Sequence, residues 1–84
     1  MIRQELVSHR KRFEAALAQR FEQARAEGDL PMDTNPADLA RYVATVHQGI
    51  SVQAASGASR EELLAVVELA LRNWPETKQE ASLA

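Results

Sequence analysis

The chain has 84 residues, 45% of them hydrophobic but only four aromatic, with three glycines, three prolines, no cysteine and a formal net charge of −2. A single domain of this size buries only about 60–65% of its unfolded surface, so its own core is marginal. The missing cysteine excludes disulfides, thiolate metal sites and cysteine catalysis, and no apolar run approaches the ~18 residues of a membrane span. Residues 1–27 carry six basic side chains against four glutamates, and residues 28–84 carry four basic against eight acidic. Neither half is basic enough to form a nucleic-acid surface. With no apolar signal region at the start, the chain is expected to be soluble and cytoplasmic.

In chain order, the first predicted element is a helix over about 2–27. Ile2, Leu6, Phe13, Leu17 and Ala24 fall on one stripe with Phe21 at its flank, and charged residues lie mainly off it. Arg10/Glu14 and Glu22/Arg25 are spaced to pair along the helix. Gly28 supplies the left-handed conformation that closes a helix. Pro31 holds Leu30 extended, which places that leucine to fold back onto the helix end.

The second helix, about 36–56, starts at an Asn35 N-cap, with Pro36 in its first turn and Asp38 facing the positive helix end. Its main apolar stripe is Leu39, Val43, Val46, Ile50 and Ala54. A stripe of mostly small residues, Ala40, Ala44, His47, Ser51 and Ala55, runs beside it. Gly49 stands inside the helix, where glycine costs about 1 kcal/mol relative to alanine. That cost is best tolerated where another backbone comes close. Gly57 ends this helix, and Ser59-Arg60-Glu61-Glu62 reads as a capping box opening a third helix over about 60–74. The connection is short enough to make the last two helices an antiparallel hairpin. Leu63, Val67, Ala70 and Trp74 centre a wide apolar face on the third helix, which Pro75 stops. Glu68 and Arg72 are spaced to pair. Residues 76–84 read as a flexible tail.

The stretch from Ala24 to Pro75 resembles the C-terminal portion of TetR/AcrR-family transcriptional regulators. The resemblance rests on Ala24 with Glu27-Gly28-Asp29-Leu30-Pro31, on Asp38-Leu39-Ala40, and on Gln48-Gly49-Ile50 with Gln53-Ala54. Gly57-Ala58-Ser59, Glu62-Leu63 and Trp74-Pro75 complete it. It implies that residues 1–75 form a helical effector-binding and dimerisation portion of such a regulator, with a small-molecule effector acting on the full-length protein. It also implies that the last two helices pack with those of a second chain as a four-helix bundle. The sequence as it stands holds no helix-turn-helix ahead of the first helix, so no DNA binding is expected from this chain alone.

Two wide apolar faces on three helices exceed what one chain can cover, which points to a homodimer. Val46, Gly49, Ile50, Gln53, Leu63, Val67, Leu71 and Trp74 are the expected dimer face, with an intramolecular core as the competing reading. His9, Phe13, Arg20 and His47 are candidates to face a ligand. His47 has three readings: a titratable group in the dimer, an effector contact, or a histidine hydrogen-bonded at a helix boundary. Snorkelling at the stripe edge competes as the reading for His9 and Arg20. Arg10-Lys11-Arg12 points three ways around a helix and reads as a solvated face, with DNA contact as the competing reading. Glu5 and His9 sit one turn apart without a third ligand or a nucleophile, so neither a metal site nor catalysis is expected, and no cofactor. The alternative function is a stand-alone helical interaction module that pairs with itself or with a full-length regulator.

Overall fold

The computed structural model describes residues 2–76, with side chains described from Ser8 onward. Three helices make up its regular structure: α1 (Ile2–Ala26), α2 (Pro36–Ala55) and α3 (Arg60–Arg72), and no strand occurs among the described residues. The all-α architecture expected from the sequence is therefore observed. The tail expected at 76–84 lies, beyond Glu76, outside the described residues. So do the side chains of Ile2, Glu5 and Leu6.

Each helix end has a chemical cause. The amide of Asp29 donates to the Ala24 carbonyl at 2.8 Å and that of Gly28 to Arg25 at 3.2 Å. Gly28 sits at φ 87°, so this is a complete Schellman stop for α1. The same pair of bonds recurs at the end of α2, from Ala58 to Gln53 at 3.0 Å and from Gly57 to Ala54 at 3.2 Å, with Gly57 at φ 99°. At the start of α2, Asn35 Oδ1 accepts from the Asp38 amide at 3.0 Å. At the start of α3 the capping box closes both ways. The Ser59 amide donates to Glu62 Oε1 at 2.8 Å, and the Glu62 amide donates to Ser59 Oγ at 3.1 Å.

The third helix ends at Arg72, two residues short of the expected 74. The residue before a proline is pushed out of the helical region, which removes Trp74. Asn73 takes over the closure: its side-chain amide donates to the Leu69 carbonyl at 3.0 Å and its backbone amide to Ala70 at 3.2 Å.

The chain divides into two compact units. Among the described residues, one comprises α1, the connector, α2 through Ala44 and also Pro75 and Glu76, and the other runs from Thr45 to Trp74. In the first unit Leu30 is 4% exposed, Leu39 8% and Ala40 0%, with Pro36 buried beside them in the sequence. Burying a leucine contributes about 2 kcal/mol, and this small cluster is the core. The connector is fastened as well as buried. Arg25 Nη1 donates to the Thr34 carbonyl at 3.0 Å, and the Thr34 amide donates to Pro31 at 3.0 Å, closing a turn. Glu14, spaced to meet Arg10, instead has its carboxylate 3.6 Å from Nε of Arg41 on α2.

Candidate functional site

The second unit is the place to look for a surface that does something, because it is unfinished. No residue of α3 is buried, although its thirteen residues include three leucines at 64, 69 and 71 that are all exposed. A helix of that length is at best marginal without tertiary packing. Its half-buried residues are Leu63, Val67 and Ala70, and Trp74, just past its end, is half-buried as well. Their spacing of four, three and four is one continuous stripe. On the facing part of α2 the half-buried residues are Val46 and Ile50, four apart. Partial burial at these spacings assigns the six side chains to the inner seam of the hairpin.

The remaining apolar side chains of α3 fall on two separate flanks of that seam. Leu64 and Leu71, seven residues apart, lie on one side, and Val66 and Leu69 on the other; all four are exposed. The same construction on α2 puts Gly49 and Gln53 on one flank, and His47 and Ser51 on the other. In an antiparallel pair of right-handed helices, the residues directly preceding the seam positions share one side of the hairpin, and those directly following share the other. Gly49 therefore lies on the side of Val66, and His47 on the side of Leu64 and Leu71.

This geometry sorts the residues expected at a dimer seam. Val46, Ile50, Leu63, Val67 and Trp74 are half-buried in the hairpin's own seam, so the competing reading, an intramolecular contact, describes their present position. Gly49 and Gln53 are exposed together on one flank. Leu71, 61% exposed, lies on the opposite flank, so the eight residues do not share one outward face. Val66 and Leu69, also exposed, flank the seam on the Gly49 side. A Cβ built on Gly49 meets nothing within 4 Å, so among the described residues no other segment makes the close approach that an interior glycine suggested.

The residues expected to face a ligand are divided between the two units. His9 and Arg20 are exposed on α1, Phe13 is 42% exposed there, and His47 is exposed in the other unit. The Ser51 hydroxyl donates to the His47 carbonyl at 3.1 Å, a bond along the helix. An open groove of about 310 Å³ does occur in the first unit, lined by Arg10, Lys11, Glu14, Ala15, Ala18, Ala37 and Arg41. None of the four expected residues lines it. Its lining combines three alanines with three cations and one carboxylate, and Glu14 stands beside Arg41. Among the described residues no three His, Asp or Glu side chains stand close enough to hold a metal ion, and no helix is long and apolar enough to cross a membrane.

Comparison with known proteins places a transcriptional repressor beside this chain. The chain is 36% identical over 63 residues to the HTH-type transcriptional repressor ComR of Escherichia coli (strain K12), a stretch covering 75% of this chain and 30% of that repressor. The chain thus spans less than a third of the relative it matches. A 63-residue stretch of an 84-residue chain starts no later than residue 22 and ends no earlier than residue 63. The whole of α2, both glycine-closed helix ends and the capping box therefore lie inside the similarity. No family model matches the chain, and no solved structure matches it.

Proposed function

We propose that this chain serves in transcription regulation as the portion of a TetR-like regulator that joins two subunits and contributes to its effector-binding domain. The observation that carries the reading is α3, which is rich in leucine and valine and yet has no buried residue. Such a surface in water calls for a partner. The similarity to a transcriptional repressor over a stretch containing all of α2 supports the regulatory setting, and the TetR/AcrR resemblance of Ala24–Pro75 supports the kind of regulator. Pairing two hairpins side by side gives a four-helix bundle, the simplest arrangement that covers helices apolar over more than half their circumference. Residues 1–75 take the role of the effector-domain portion, located in the cytoplasm, and operator DNA is read by a helix-turn-helix rather than by this chain.

The reading asks the chain to self-associate, and sedimentation equilibrium over a hundredfold range of concentration tests it. A dimer whose helix content by circular dichroism rises with association supports it. A chain that stays monomeric and equally helical throughout overturns it. An operator gel shift with this chain alone is expected to show no retarded band, and sequence-specific retardation would overturn the assignment of DNA reading to another element.

A further inference from the structure

The hairpin has two flanks and a second copy has reason to choose one of them. We infer that two copies of this chain pair through the flank carrying Gly49, Gln53, Val66 and Leu69, with Gly49 of each α2 near the two-fold axis; this rests on the self-association proposed above. Three observations single out that flank over the one carrying His47, Leu64 and Leu71.

The first is charge. In a two-fold interface each surface meets its own copy, so a charge near the axis faces its like. From Thr45 to Asn73 the Gly49 flank carries one ionised side chain, Glu62, which lies at the capped end of α3 and is engaged by Ser59. The opposite flank carries Arg60 and Glu68 together with His47.

The second is shape. Gly49 is the one interior glycine of α2, and the space over it is open. A missing side chain lets a helix backbone approach more closely than the usual ~8–10 Å between helix axes. The opposite flank has no glycine and so no such position.

The third is chemistry at the centre. Gln53, exposed and one turn after Gly49, carries both a donor and an acceptor on one amide. An amide is self-complementary across a two-fold axis in a way that no carboxylate or ammonium is. Val66 and Leu69 then supply the apolar surround, each exposed in the single chain.

The chain contains no cysteine, so one introduced thiol reports on its own surroundings. The variants Gly49→Cys, Gln53→Cys, Leu64→Cys and Leu71→Cys, each verified as helical, are oxidised mildly and separated under non-reducing conditions, with light scattering on the unoxidised samples. A disulfide needs Cα atoms roughly 4.4–6.8 Å apart, so a thiol near the axis should cross-link about tenfold faster than one on the far flank. Rapid dimer formation by G49C or Q53C, with L64C and L71C slow, is the expected result. Dimers by light scattering with L64C or L71C cross-linking as fast or faster overturn the choice of flank and leave self-association standing, as does a dimer in which neither G49C nor Q53C links. Monomers at every concentration overturn the self-association reading, and this inference with it.

Discussion

The two units of this chain are built from the same kinds of residue and reach different degrees of completion. The first closes a small core around Leu30, Pro36, Leu39 and Ala40, ties its connector down with Arg25, and sets an ion pair across its helices. The second has a well-made turn, a capping box and a two-sided seam, but α3 ends with no side chain fully withdrawn from water. The difference is where the connector goes. Between α1 and α2 the chain sends a leucine back under the helices; between α2 and α3 it turns in four residues, too few to cover anything. Local chemistry can thus specify a hairpin completely while its burial is left to something else.

The largest loss is expected at the first unit's core. Leu39→Ala should destabilise the chain by about 2–3 kcal/mol, since the leucine is nearly inaccessible and little surrounds it to collapse into the space. Urea unfolding followed by circular dichroism would show it, with a shift that does not depend on protein concentration. A shift under about 1 kcal/mol would mean that this cluster is not the chain's core.

Gly57→Ala acts on the second unit through its turn. At φ 99° a side chain is strained, and the expected loss is about 1–2 kcal/mol. Because the hairpin depends on that turn, exchange of the α3 amides should quicken before that of the α2 amides through Ala44. Equal acceleration in both units would argue against their separateness.

Ser59→Ala should cost about 1 kcal/mol and fray the first turn of α3. The capping box also gives the second unit a mild acid sensitivity. The Glu62 carboxyl is held below the usual glutamate range, first by the backbone N–H of Ser59 and then by the Ser59 side chain. A carboxyl depressed in the folded state stabilises above its unfolded value, and this contribution disappears as pH falls through the folded value. Helix content should therefore decline at the acid end more in the native chain than in Glu62→Gln, which has no carboxylate to lose. Parallel acid titrations by circular dichroism check the sign.

Much of the fold was legible because it was written locally. Asn35-Pro36, Ser59 with Glu62, and glycines at 28 and 57 each announce a helix boundary through a bond made within a few residues. The seating of Leu30 followed from Pro31 in the same way. What was not legible needed a second element. The i,i+4 spacing offered Glu14 to Arg10, whereas α2 brings Arg41 to it. The candidate interface suffered similarly. On α3 apolar residues occupy more than half the circumference, and periodicity describes that arc without saying which sector the neighbouring helix takes. Once Leu63, Val67, Ala70 and Trp74 are assigned to the hairpin's own seam, Leu71 falls to one side, and Val66 and Leu69 to the side of Gly49.

The bond from Arg25 to the Thr34 carbonyl has a consequence for how the chain would be cut. A loop without helix or strand is ordinarily where a protease begins, since the enzyme must draw several residues into an extended form. Here Leu30 is buried, the connector is closed by its own turn, and the arginine that trypsin would recognise is part-buried and engaged. Arg60 and Arg72, exposed at the two ends of a helix with no buried residue, offer easier entry. Digestion would strip the third helix first and leave the irregular segment joined to both of its neighbours.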